Sequence, residues 1–435
     1  MTFMKYESVF TEIDKSINAD HSFDPLGLMV IWRSYAQEVF RGKITTVAKD
    51  MRHFAINLFN LSVIRKILCS AEGQALIHGE YTEDQFFSDL LVMMENIFIY
   101  SFKDDSTPPV TGVTKYRKTP ERFPHLIGFR KWEGRNNQKY HILSRQLQLG
   151  ISGRYKTSFK SMELDYEKLK GKEWESAEKI VHSCFGNLQD QIIAFFMEIK
   201  SKEEISFSQL GEMKIDKGIQ KAFNIEEKLP VEVDSFFMEK LGLTEGAAGA
   251  IYDGIKSLIS SNPERKVDHR ELFNSIKGKL QEEELEKIDN ILDLESFLAP
   301  IQFFFDALIQ TSRDEISLYD SLWEKIGEKC GKGSCDGVGL VGTAKSRFEH
   351  LQRFVAERNI TRNLIEYHTK VQDERHSVPW ISIENERIKR AEWRRIKTIN
   401  EWKKDTIDKE TCWKNDYYVS SIVYLALSQS SGHGT

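Results

Sequence analysis

Cysteine is scarce and odd in number: Cys69, Cys184, Cys330, Cys335 and Cys412 in 435 residues. A disulfide scaffold wants a dense, even set, so the sequence predicts reduced thiols in a cytoplasmic protein. Nine prolines are too few for long extended linkers. Long apolar runs are missing too: the longest, 299–305 and 422–427, fall well short of the ~20 residues that cross a bilayer. The opening stretch carries Lys5, Glu7, Glu12 and Asp14 and holds no apolar leader core, so the expectation is no secretory signal and no membrane contact. A dominant charge sign is lacking as well. Lys and Arg number 61 against 66 Asp and Glu, a net of −5, which excludes a dedicated polybasic or polyacidic protein. What remains is 40% apolar and 29% charged, an ordinary globular profile that excludes collagen-like, mucin-like and wholly disordered chains.

The apolar residues that are present fall at helical spacing. Leu28, Ile31, Trp32, Tyr35 and Val39 recur at three and four, behind an Asp24-Pro25 start signal. Further helices are expected at about 46–70 and at 82–101, the latter capped by Thr82 with Glu83 and Asp84 in its first turn. Helical segments follow at 174–200, 233–242, 248–260, 269–298, 298–326, 344–375 and 416–428, with Glu282–Glu284 as a solvated face or first turn. Trp380, Ile381, Ile383 and Ile388 alternate around Asn385, which predicts a short hairpin over 378–390. The fold class expected is mainly α: multi-helix bundle modules with a loop-rich basic insert and a short C-terminal β-hairpin. The modules run 1–102, 103–160, 161–326 and 344–435, with a Gly-rich linker loop at 327–343 before the last.

Segment 103–160 stands apart. It holds 13 Lys and Arg against four acids, a net of +9, and Pro108, Pro109, Pro120 and Pro124 interrupt helices there. Tyr116, Phe123, Phe129, Trp132, Tyr140, Tyr155 and Phe159 are interleaved with the cations. Cations neutralise phosphates and release counterions, while rings offer faces to unpaired bases. The candidate nucleic-acid contacts are Lys115, Arg117, Lys118, Arg130, Lys131, Arg135, Arg154 and Lys156, with Gly150–Lys156 read as a flexible cationic turn. A second cluster, Arg387, Lys389, Arg390, Arg394, Arg395 and Lys397, adds Arg394 and Arg395 to the set. The competing reading is internal, because 161–300 carries 29 acids and 18 bases and could receive the basic segment.

Other motifs fail on context. Gly337-Val338-Gly339-Leu340-Val341-Gly342 matches the dinucleotide fingerprint, but 327–336 cannot make the strand that must precede it. Cys330 and Cys335 lack a second paired half for zinc, so no metal and no cofactor is expected. Asp190, Glu198 and Lys200 lie within one helical run and cannot flank a common magnesium ion as nuclease carboxylates do.

Two resemblances remain. Arg362-Asn363-Leu364-Ile365-Glu366-Tyr367-His368 resembles the Arg-polar-x4-His signature of HEPN-type ribonucleases of bacterial defence. That likeness implies His368 moving a proton and Arg362, beside Asn363, neutralising phosphate. Asp24-Pro25-Leu26-Gly27-Leu28 with Trp32, Ile44-Thr45 and Arg52-His53-Phe54 forms one half of the second likeness. Tyr367-His368, Val371-Gln372, Glu374-Arg375 and Pro379-Trp380, with Gly153–Lys156, form the other. Together they resemble the accessory G subunit (DptG/DndG type) of phosphorothioation-dependent restriction in anti-phage islands. That resemblance implies partners, an ATPase and a helicase-like protein, acting on DNA, and supplies no catalytic residue. The function expected is therefore a non-enzymatic subunit of a bacterial DNA-defence complex. The alternatives are a ribonuclease using Arg362 and His368, and a pure protein scaffold.

Overall fold

A computed structural model describes residues 24–430 except 80–81, 119, 121–125, 129–139, 144, 170, 203, 263–265, 331–332, 392–397 and 406–411. It is 71% helical, and the described residues form nineteen α-helices and two small antiparallel sheets. The mainly α class is thus the observed one. The chain divides into two compact units, each gathered from separated stretches.

One unit takes Val39–Val267, Asn274–Glu284 and the chain from Tyr418 onward. Its centre is the Met51–Cys69 helix, started by Asp50, whose Oδ1 accepts the Arg52 N–H at 2.8 Å. Fifteen of the 19 residues of this helix are buried. Helices Glu83–Ser101, Ile151–Ser161, Lys172–Lys202, Val231–Lys240 and Val419–Ser430 pack around it. Phe54, Phe59, Phe98, Phe185, Phe223 and Phe237 fill the space between at ring spacings of 4.9–6.1 Å. Thr82 caps Glu83–Ser101 in a reciprocal box with Gln85, as a Thr three residues before Gln allows. Strands Leu126–Gly128 and Glu204–Ser206 pair antiparallel, Ile127 opposite Ile205.

The other unit takes the chain up to Glu38, Asp268–Phe273 and Leu285–Tyr417. Here Asp24 receives the Leu28 and Met29 N–H groups at 2.7 and 3.1 Å, so the expected start signal works as a cap. Helix Ile360–Glu374 packs against Gly342–Ala356, Ile316–Cys330 and strand Ile381–Glu384. That strand pairs with Arg387–Arg390 through a two-residue turn, Asn385 and Glu386, both at positive φ.

Three expectations change. The segment read as one helix over 269–298 breaks after Ile276 into a 3-10 turn, Lys277–Lys279, and restarts as Glu282–Gln310 with Pro300 inside it. The 344–375 segment breaks at 357–359. Cys330 and Cys412 are not free thiols: they form a disulfide between α-carbons 5.3 Å apart, across 82 residues of chain. Cys69, Cys184 and Cys335 are free.

Candidate nucleic-acid interface

The stretch read as a flexible turn, Gly150–Lys156, begins a helix, Ile151–Ser161. Its glycines serve close approach. A Cβ on Gly150 would lie 2.0 Å from the Glu95 carboxylate, and one on Gly153 would lie 2.4 Å from the Leu147 carbonyl. A buried polar frame holds the helix start. Gln146 accepts the Ile142 N–H at 2.8 Å and donates to Asn96 at 2.8 Å; Asn96 donates to the Tyr140 carbonyl at 2.6 Å. The Ser152 N–H donates to Glu95 at 3.3 Å and its hydroxyl to Asn57 at 2.5 Å.

Burial pushes the Glu95 carboxyl up to about 8 against an ordinary 4.5, although the Ser152 and Gln146 hydrogen bonds pull it down. The folded protein therefore holds a proton there that the unfolded chain gives up near 4.5. The stability this supplies is complete below about 4.5 and is lost as pH rises through 8, at about 1.4 kcal/mol per pH unit inside that window. Glu95→Gln keeps an acceptor for Ser152 without the charge. Thermal unfolding at pH 6 and pH 9 should show the wild type losing more stability than this variant between the two.

The frame fixes which side of the helix meets solvent. Ile151, Tyr155, Ser158 and Phe159 face the core, while Arg154, Lys156, Thr157 and Lys160 are exposed. At 100° per residue, Arg154 and Lys156 occupy opposite rims of that exposed side. Arg145, exposed, stands just before the preceding helical turn, Gln146–Leu149. Among the described residues, Lys118, Arg145, Arg154 and Lys156 make no ion pair, whereas Lys160 pairs with Glu167 at 3.6 Å. Arg117 is spent otherwise: its guanidinium donates to the carbonyls of Phe102 (3.1 Å) and Lys103 at the end of the Glu83–Ser101 helix, where cations belong. Lys115 is exposed and engaged with neighbours. Arg130, Lys131, Arg135, Arg394 and Arg395 lie outside the described residues.

The interleaved rings do not serve stacking where they are described. Tyr116, Tyr140, Tyr155 and Phe159 are all buried; Tyr155 donates to the Val47 carbonyl at 2.8 Å and sits 3.0 Å from His53 Nδ1, whose ring burial keeps below its usual range. Phe123, Phe129 and Trp132 lie outside the described residues. In the second cluster one cation is absorbed internally, one pairs at the surface, and Arg387 is exposed and without an ion pair among the described residues. Arg390 reaches the carbonyls of Leu308 and Arg313, the Tyr319 hydroxyl and Asp314, and Lys389 pairs with Glu384 at 3.0 Å.

The ribonuclease residues are not brought together as a site. His368 is fully buried, with Nδ1 3.0 Å from the Pro25 carbonyl and Nε2 accepting the Trp380 N–H at 2.8 Å. Both ring nitrogens are thus occupied in one neutral tautomer, and no substrate phosphate reaches them. Arg362 pairs with Glu386 at 2.6 Å, and Asn363 donates to Glu357 at 2.9 Å. The glycine loop before Gly342–Ala356 receives the Tyr35 hydroxyl on the Val338 carbonyl at 2.8 Å and has no strand ahead of it among the described residues. Among the described residues no group of His, Cys, Asp and Glu is placed to hold a metal ion, and no single helix is long and apolar enough to cross a membrane.

Glu95, Asn57 and Gln146 escape a motif search. Their one signal in sequence is a polar pair, Glu95-Asn96, in the middle of an otherwise apolar helix from Leu90 to Ile99. Compared with family models, with curated proteins and with solved structures, the chain matches none.

Proposed function

We propose that this chain is a non-enzymatic binding subunit that grips nucleic-acid phosphates through Arg145, Arg154 and Lys156. The observation that carries this reading is that these three cations are exposed and without an ion pair among the described residues, on a helix start fixed by a buried frame. Cations that only neutralise an acidic neighbour would be paired with it, as Lys160 is with Glu167. The likeness to the accessory G subunit of phosphorothioation-dependent restriction extends the proposal to its setting. The chain would work in an anti-phage complex with an ATPase and a helicase-like protein.

Fluorescence anisotropy with a labelled duplex and with the matching single strand tests the reading. Three phosphate contacts give a slope near −2.7 in log affinity against log salt, so binding to duplex should weaken on the order of 100-fold between ~50 and ~300 mM salt. Arg154→Glu with Lys156→Glu should remove most of the binding at low salt. A wild type that binds neither strand form at low salt is a scaffold, and equal affinity at both salts rejects the electrostatic account.

A further inference from the structure

A second site lies beside the basic helix and has the opposite charge character. A cavity of about 310 Å3 is walled on its apolar side by Leu61, Phe87, Leu91 and Phe159, and on its polar side by Asp84, Asp165 and Tyr166. Asp165 is only 7% exposed, and its Oδ1 has no hydrogen-bond partner among the described residues. A buried carboxylate oxygen left without a donor is costly unless something supplies one. Tyr166 donates to Asp84 at 2.9 Å and stacks on Phe87 with ring centres 4.1 Å apart, so this aromatic wall is held in place. Across Asp84 and Tyr166 a second cavity of about 380 Å3 continues the acidic lining with Glu83 and Glu167. Lys156 is the one cation among the residues that line either cavity, and it is exposed.

We propose that this cavity is a binding site for the ammonium or guanidinium head of an organic amine with an aliphatic body. The cation would donate to Asp165 and lie against the aromatic wall, where a desolvated positive charge is favoured. The aliphatic chain would cover Leu61 and Leu91, and a second ammonium of a diamine or polyamine would reach the Asp84, Glu83 and Glu167 side. Phosphate-bearing ligands are disfavoured there, since the acids outnumber the single lysine. The phosphate-binding reading shares Lys156 with this cavity, but it does not use Asp165, on which the amine site depends.

Isothermal titration of the full chain with 1,6-diaminohexane and with spermidine tests it, with 1,6-hexanediol as the neutral control of equal length. The diamine should bind saturably and the diol at least tenfold more weakly. Asp165→Asn should weaken the diamine at least tenfold, while its thermal transition in the absence of amine stays close to that of the wild type, because the amide fills the same space. Leu91→Trp, which fills the cavity and leaves Asp165 in place, should abolish binding as well. Nα-acetyl-lysine methylamide distinguishes the source of the cation. Binding tighter than the diamine assigns it to a lysine of a partner protein, and weaker binding assigns it to a free amine; both keep the chemistry. No binding of any amine, equal binding of diol and diamine, or an unchanged Asp165→Asn affinity overturns the proposal.

Discussion

Glu295→Ala should cost at least about 3 kcal/mol of stability, because each buried donor stripped of its acceptor carries a penalty of about 1–3 kcal/mol. Glu295 is fully buried on the Glu282–Gln310 helix. Its carboxylate accepts the Lys414 and Asn415 N–H groups, the latter at 3.1 Å, and the Tyr417 hydroxyl at 3.0 Å. Burial pushes this carboxyl up to about 6, against the pull of those three donors and of His269. Alanine leaves the buried Tyr417 hydroxyl and the two part-buried N–H groups without this acceptor. Glu295→Gln retains one carbonyl acceptor and should lose less. Urea unfolding followed by tryptophan fluorescence reads both, since Trp413 lies in the affected segment, stacked near His269 and Phe273. Losses below ~1 kcal/mol for the alanine variant would mean that the segment is held without the carboxylate.

Reduction of Cys330–Cys412 should cost more still. Closing 82 residues of chain removes unfolded-state entropy equivalent to about 4.5 kcal/mol in the loop-closure account. Denaturant midpoints of the wild type with and without a phosphine reductant should differ, while Cys330→Ser with Cys412→Ser should be indifferent to reductant. Maleimide labelling of the denatured, unreduced chain should modify three thiols, Cys69, Cys184 and Cys335, and five after reduction. Five without reductant would show that the sulfurs are not bonded. This disulfide is also the feature least legible in the sequence. An odd count argues against pairing only when every cysteine belongs to one scaffold, and here one pair forms while three thiols stay apart.

Local signals carried the helices well. The three-and-four spacing around Trp32 and Tyr35, the Thr82 cap and the alternation about Asn385 each correspond to an observed element. Boundaries inside long apolar stretches were not legible. The expected segments meet at 298, yet the Glu282–Gln310 helix runs through that point and through Pro300, its neighbours from Phe297 to Phe305 almost all buried. Tertiary burial there outweighs one missing backbone bond. Gly150 and Gly153 read as flexibility because composition records the missing side chain and not the atoms that crowd it. Arg390 reads as a free cation for the same reason: its partners at Leu308, Arg313, Asp314 and Tyr319 are 71–82 residues away in sequence. The buried frame around Glu95 depends on chain brought from 140–152, which no local pattern encodes.

The central Met51–Cys69 helix has a last consequence. A rod coated with interchangeable aliphatic groups on every side has nothing to stop it sliding by a turn or rolling about its axis. Its few embedded polar atoms remove that freedom. Ser62 receives the Gln189 amide at 2.9 Å and Asn57 receives the Ser152 hydroxyl, and both contacts are satisfied in one registry only. A shifted rod would keep its greasy contacts and strand those dipoles, so oil supplies the cohesion while two or three polar pins determine the alignment.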